Sequence, residues 1–217
     1  MPIPSLKKRG PINYQEALLE IAKSMVRLKR PQRLLKMIIR FLDKELGLSH
    51  TAIWVYEPEK ASYTIHDSKG LRRLPRNLFR LDRDHPLIQL FEPGGNDHQQ
   101  KEFQDLRPYL SQKKIQTLLQ NETLLKEKPA LKTRLLLFQK ALRDFRAEIA
   151  IPGHSKNSLM AILFLGEKLT RRLFTQTEIH FFQTLVHNAA LAIKTSEYHE
   201  RLEAFHKKKQ DTYYQIM

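Results

Sequence analysis

The stretch from Glu148 to Lys194 constrains the fold more than any other part of the chain, because strand and helix patterns follow one another closely in it. A first strand is predicted at 149–151. Pro152-Gly153 is expected to break it, since proline cannot donate to a sheet ladder and glycine opens turn geometry. A second strand is predicted from Leu159 to Leu165, where every residue is apolar, as is typical of a strand inside a sheet. The segment therefore predicts two sheet strands joined by a turn.

A helix is predicted to follow these strands, after a basic loop over 168–173. Thr175 and Glu178 have the spacing of a capping box, in which the first side chain bonds forward to the backbone and the second reaches back. The apolar residues after this box recur at helical spacing and are predicted to face the sheet: Ile179, Phe182, Val186, Ala189, Ala190 and Ile193. The helix is expected to continue past Lys194 with a narrower apolar stripe, typical of a helix that packs on a partner helix. The residues of this stripe are Tyr198, Leu202 and Phe205.

This order of elements resembles the GAF domain of signalling proteins. The motifs that carry the resemblance are Ile151-Pro152, Leu165-Gly166-Glu167-Lys168, Phe174-Thr175-Gln176-Thr177-Glu178 and Ala189-Ala190-Leu191-Ala192-Ile193. The resemblance implies an α/β (α+β) fold with an antiparallel sheet of about five or six strands. Terminal helices would pack on one face of that sheet and irregular helical segments on the other. It also implies a sensory or regulatory module of the type found next to bacterial histidine kinases and other signalling output domains.

The rest of the chain fits this arrangement. Apolar spacing predicts helices over 12–28 and 31–47, and a hairpin is predicted from 51–56 and 61–66. Further helices are expected to open at Pro86 and Pro129, because proline suits the first helical position. The second of these is predicted to bury Leu131, Leu135, Phe138, Leu142 and Phe145. The predicted domain organisation is a flexible basic arm at 1–11, a GAF-like domain at 12–194 with a variable region at 67–130, and a connecting or coiled-coil helix at 195–217.

Charge and composition narrow the classes of function. The net charge is +15, and residues 1–40 alone hold ten Lys and Arg against two Glu. Such clustering can bind the phosphates of a nucleic acid, acidic lipid headgroups or an acidic partner. A solvated basic surface is nevertheless the preferred explanation, and no aromatic residues are interleaved to stack on bases. The chain has no cysteine, which excludes disulfides and thiolate chemistry and favours a cytoplasmic location. No apolar run approaches the ~20 residues that a membrane span needs.

Catalytic and cofactor motifs are weak, so the chain is predicted not to be an enzyme. His180 and His187 lie on a largely apolar helix and would need further ligands to hold a metal, so no metal site is predicted. The sulfoxide reductases built on the GAF fold need cysteines, and covalent bilin attachment is likewise unsupported. Of the motif of cyclic-nucleotide-binding members, only Lys168 and Phe174 are present unchanged, which argues against that ligand. The cofactor is therefore left open.

The resemblance places any ligand between the sheet and the variable region. The residues predicted to line such a pocket are Trp54, Tyr56, His66, Phe79 and Phe164. The predicted function is a non-catalytic regulatory module that forms a homodimer through its terminal helices, contacts a signalling output protein and senses a small molecule. Two alternatives stay open at this point. One is a protein that binds nucleic acid or an acidic surface through its basic N-terminal region, and the other is an interaction scaffold without a ligand.

Overall fold

The computed structural model describes residues 31–70, 74–93 and 103–216, together with Glu16, Leu19 and Lys23, which are helical. The predicted basic arm at 1–11 and the rest of the predicted helix at 12–28 lie outside the described residues. Within the described ranges, no helix is both long enough and apolar enough to cross a bilayer.

The described residues contain one antiparallel sheet of six strands, in the order β3-β2-β1-β6-β5-β4. The strands are β1 (His50–Glu57), β2 (Ser62–Gly70), β3 (Arg80–Leu81), β4 (Leu110–Ser111), β5 (Ile149–Ser155) and β6 (Ser158–Leu165). β1 and β6 lie at the centre, and their buried middle parts, 52–54 and 159–165, are apolar on both faces because the sheet is covered on both sides. The predicted hairpin is confirmed as β1 and β2, joined by a short 3₁₀ turn at Pro58–Lys60.

The expectation that Pro152-Gly153 ends the first strand of the C-terminal pair was wrong. β5 continues through both residues, with Pro152 opposite Ile162 and Gly153 opposite Ala161. The physical reason lies in the neighbouring strand. β4 pairs only with the first two residues of β5, so among the described residues the later part of β5 forms a sheet edge, where a proline is tolerated.

Six α-helices are present in the described ranges: α1 (Pro31–Leu46), α2 (Pro86–Phe91), α3 (Gln112–Leu119), α4 (Glu122–Glu127), α5 (Pro129–Asp144) and α6 (Gln176–Ile216). Three of them open with proline, as predicted, because the amide that proline lacks has no partner within a helix at that position. The predicted buried side of α5 is confirmed, including Phe145 just after its end.

The two faces of the sheet carry different helices, which confirms the predicted arrangement. α1 and α6 cover one face and form a core with Ile53, Ile151, Ala161, Leu163 and Leu165. α2, α3 and α5 cover the other face together with the short connections, over Ala52, Trp54, Ala150, Ile162 and Phe164. Two apolar cores separated by the sheet thus hold the domain together.

α6 spans 41 residues without a break, and its predicted continuation past Lys194 is confirmed. Its first part packs closely on β5 because Gly153 has no side chain there. A Cβ at Gly153 would lie 2.7 Å from the carbonyl oxygen of Val186 and 2.9 Å from its Cγ2. The remainder of α6 extends beyond the sheet.

Candidate functional site

Trp54 and Phe164, two of the predicted pocket residues, lie side by side at the centre of the sheet. Both are fully buried, and their rings meet edge to face at 4.9 Å. Phe145 completes the cluster, 5.0 Å from Trp54 and stacked on Phe164 at 4.4 Å. The Trp54 Nε1 donates to the carbonyl oxygen of Leu78 at 2.9 Å, so its one polar atom is satisfied. The protein's own side chains therefore occupy the space directly above these two residues.

The other three predicted pocket residues do not join this cluster. Tyr56 packs on Tyr63 and accepts a hydrogen bond from Arg83 at 3.0 Å, at the margin of the core. Phe79 is 43% exposed. His66 is the extra residue of a β-bulge, where the pairing of β2 with β1 shifts, and its Nε2 lies 3.3 Å from the carbonyl oxygen of Gln32. Bulges re-aim side chains, and this one turns His66 toward α1, on the opposite face from Trp54.

The capping box predicted at the start of α6 is confirmed and belongs to a larger buried network. The Thr175 amide donates to Glu178 Oε2 at 2.7 Å, and the Glu178 amide donates back to Thr175 Oγ1 at 3.3 Å. Lys168 Nζ lies 2.6 and 2.7 Å from the two carboxylate oxygens of Glu178 and 5.2 Å from the centre of the Phe174 ring. This network ties the loop after β6 to the first turn of α6.

A cavity of about 410 Å³ lies beside this network, between α3 and the start of α6. Its walls are mainly apolar and include Leu106, Leu118, Ile149 and Ile179. Lys114 lies in its wall with Nζ 3.3 Å from the centre of the Tyr109 ring, and it donates to the carbonyl oxygen of Asp105 at 2.8 Å. Burial lowers the pKa of Lys114, while Asp105 acts in the opposite direction.

A second and more polar cavity, of about 650 Å³, lies at the end of the sheet where β1 begins. The charged groups at its rim come from the end of α5 and from the turns around β5 and β6: Arg143, Arg146, Glu148 and Glu167. His50 lies in its wall and is only 4% exposed. These residues were not among the predicted site residues, because nothing in the local sequence pattern connects positions that are so far apart in the chain.

The distal part of α6 exposes an apolar seam, formed by Leu191, Tyr198, Leu202 and Phe205. Their exposed fractions are 49%, 51%, 54% and 64%. Leu191, Tyr198 and Phe205 follow at seven-residue intervals, and Leu202 lies four residues after Tyr198. This is the spacing of the contact positions of a two-stranded coiled coil.

No group of three or more His, Cys, Asp or Glu able to hold a metal ion occurs among the described residues. His180 and His187 thus have no third ligand within that part of the chain.

The fold is that of GAF domains, as comparison with solved structures shows. The GAF domain of a phosphoenolpyruvate-protein phosphotransferase from Coxiella burnetii superposes with a TM-score of 0.54 at 15% identity, over 87% of this chain and 97% of that one. The phycoerythrobilin-bound GAF domain of a cyanobacterial phytochrome gives 0.53 at 14% identity, over 88% and 98%. A free methionine-R-sulfoxide reductase from Neisseria meningitidis gives 0.53 at 10% identity, over 90% and 99%.

The sequence itself gives no such match. No protein-family model matches the chain, and no curated protein matches it. The similar solved structures are mostly GAF domains of signalling proteins, and the sulfoxide reductases among them share the fold. The resemblance stated from the sequence is therefore confirmed for the fold.

Proposed function

We propose that this chain is a non-catalytic regulatory module that dimerises through the distal part of α6. The observation that carries the proposal is the apolar seam of Leu191, Tyr198, Leu202 and Phe205, whose side chains are about half exposed or more, with Lys156 and Lys194 near the Tyr198 ring. Fully burying one large apolar side chain is worth about 1.5–3 kcal/mol, so two such seams packed together give a substantial driving force. The coiled-coil spacing favours a second copy of the same helix in parallel register.

Non-catalytic action is part of this proposal. The sulfoxide reductases of this fold need cysteines, and the chain has none. Dimerisation through α6 would couple the two domains, because the helix that forms the seam also packs on β5 of its own sheet. Any change at the sheet would then alter the register or angle of the paired helices, which is how an output protein would receive the signal.

The dimer is tested by sedimentation equilibrium of the full chain and two variants. Leu202→Asp places a charge in the seam and is expected to shift the protein toward monomer. Ala204→Asp adds the same charge two residues away, outside the seam, and is expected to leave the dimer intact. A monomeric parent chain at micromolar concentration would contradict the proposal, and so would an unchanged dimer in Leu202→Asp.

A ligand-free scaffold is the second candidate, and the packing of Trp54, Phe145 and Phe164 favours it for the centre of the sheet. Their contacts at 4.4–5.0 Å fill the space where the predicted ligand would lie. A molecule bound by this protein would then occupy a different place. Native mass spectrometry compared with the denatured mass distinguishes the two cases, since a retained small molecule gives a reproducible excess mass.

Binding of nucleic acid or an acidic surface remains a further alternative that rests on the charge of the chain. Most of the basic residues of 1–40 lie outside the described residues. A second group of basic residues occurs at 67–80 of the sequence, where Lys69 and Arg76 are exposed and Arg80 pairs with Asp82 at 3.0 Å. A steep loss of binding with added salt would favour this alternative, because phosphate contacts release counterions.

A further inference from the structure

We propose that the cavity around His50 binds a small zwitterion, a molecule of the size of an α-amino acid with one carboxylate and one ammonium group. This site is separate from the predicted pocket above Trp54. It rests on the proposed regulatory role only in naming what the module senses, and binding at this site can be measured whatever the oligomeric state.

The first argument is the state of the His50 side chain. It is 4% exposed, and neither Nδ1 nor Nε2 has a hydrogen-bond partner of good geometry among the described residues, although the backbone of Lys69 makes a weak hydrogen bond to the ring. Buried polar atoms in proteins nearly always have a partner, so an imidazole with incomplete hydrogen bonding in the wall of a cavity points to a ligand atom. Because burial, and then Arg146, lower the pKa of His50 to about 4, the ring is neutral near pH 7. The hydrogen bond with Lys69 acts in the opposite direction but more weakly. A neutral imidazole presents one donor and one acceptor.

The backbone around His50 is held firmly, and the ring lies against Gly70 of β2, where a Cβ would be 3.0 Å from Nδ1. The His50 carbonyl oxygen accepts a hydrogen bond from the Gly166 amide at 2.7 Å. A Cβ at Gly166 would lie 2.9 Å from the His50 amide nitrogen and 3.1 Å from its Cβ. Only glycine permits this approach, which brings the end of β6 and the following Glu167 to the edge of the cavity.

The second argument is the charge at the rim. Arg143 and Arg146 supply two guanidinium groups, whose fork of donors suits a carboxylate. Glu148 and Glu167 supply two carboxylates, which suit an ammonium group. Among the described residues, none of these four side chains forms an ion pair within 4.0 Å. Two positive and two negative groups around a neutral imidazole favour a ligand that carries both charges over a simple anion.

Glu148 supports the same assignment. Its pKa is raised by burial and then by the charge of the neighbouring Glu167. An ammonium group placed there would relieve this repulsion. Glu167 is also next in sequence to Lys168, which binds Glu178 in the first turn of α6. A ligand at the rim would therefore act on the loop that leads into the helix proposed to form the dimer.

The test is a thermal-shift screen of the full chain against the proteinogenic α-amino acids, followed by calorimetric titration of those that act. At about ten times its dissociation constant, a ligand of the folded state is expected to raise the Tm by about 3–6 °C. Each active amino acid is compared with the same molecule lacking its amino group and with its methyl ester. Both are expected to bind at least about tenfold more weakly, because each leaves one pair of rim charges unpaired.

Variants at the rim complete the experiment with His50 itself left in place. Arg146→Gln and Glu148→Gln are each expected to weaken binding about tenfold or more. Arg172→Gln, at an exposed position in the loop before α6, removes the same charge and is the matched control, expected to bind like the parent chain. Binding should also shift the NMR signals of the His50 ring. The proposal is overturned if no α-amino acid stabilises the protein, if the molecules lacking the amino group bind equally well, or if Arg146→Gln binds unchanged.

Discussion

Replacing Glu178 by Gln is expected to lower the free energy of unfolding by about 3–5 kcal/mol, because the change leaves the Lys168 ammonium buried without a counter-charge. The two side chains are only 8% and 11% exposed, and both carboxylate oxygens lie within 2.7 Å of Nζ. A loss of this size is a large fraction of the ~5–15 kcal/mol that stabilises a typical domain. Replacing Lys168 by Met is expected to lower the free energy of unfolding by a similar amount, since it leaves the Glu178 carboxylate buried without a counter-charge.

The double variant, with both Glu178→Gln and Lys168→Met, separates the interaction energy of the ion pair from the effects of the other contacts that each side chain makes. If the pair itself is responsible, the combined change should cost less than the sum of the two single changes, by about 0.5–3 kcal/mol. Urea unfolding followed by circular dichroism, at one fixed protein concentration, gives the four free energies. A dimer makes stability depend on concentration, so this condition matters.

An exposed ion pair in the same protein provides the control. Arg80 and Asp82 lie 3.0 Å apart but are 58% and 63% exposed. Arg80→Met is expected to change stability by no more than about 1 kcal/mol, because solvent screens the pair. The reasoning is refuted if Glu178→Gln destabilises the protein no more than Arg80→Met does, or if the two single effects simply add in the double variant.

Two further predictions concern stability. Burial lowers the pKa of His50 from 6.5 to about 4, so the folded state favours the neutral ring. The free energy of unfolding is therefore unaffected by the protonation of His50 above pH 6.5 and falls as the pH is lowered toward 4, because the unfolded state then binds the proton more tightly. Between pH 7.5 and 4.5 this amounts to about 2.5 kcal/mol. His50→Asn is expected to reduce the fall in urea midpoint over that range, and an undiminished fall would contradict the assignment. Gly153→Ala is expected to destabilise the protein by about 1–3 kcal/mol, because the added Cβ would meet Val186 of α6. Ser158→Ala, at the exposed start of β6, is the control and is expected to change stability by less than ~0.5 kcal/mol. Equal Tm values for these two variants would show that α6 can move aside.

Much of the fold could be predicted from local patterns. Pro31, Pro86 and Pro129 each mark a helix start, and the Thr175–Glu178 box marks another, because these signals act within a single turn of chain. β3 and β4 were not predicted, since two residues are too few to show a period. The error at Pro152 had a different origin. Whether a strand tolerates proline depends on its neighbour in the sheet, and the end of β4 cannot be read from the residues of β5.

The candidate site was less accessible to sequence reasoning. Trp54 and Phe164 were correctly placed in the sheet, but the insertion of Phe145 between the helices and these rings depends on how α5 docks. The bulge that turns His66 to the opposite face depends on the pairing of β2 with β1. For His50, the sequence showed only that a polar residue stands at the start of an apolar strand, which is weak evidence for a site. Its burial with incomplete hydrogen bonding could be seen only once Gly166 and the rim residues were assembled around it.

The length of α6 turns small movements at the sheet into large ones elsewhere. Residues 195–216 continue the helix beyond the sheet, and at 1.5 Å per residue this projecting arm is about 33 Å long. A tilt of only about 5° at the contact between Gly153 and Val186 would displace the far tip, about 45 Å along the helix from that contact, by about 4 Å. If a ligand tilted α6 at this contact, the far end of the helix would move without any rearrangement of the core.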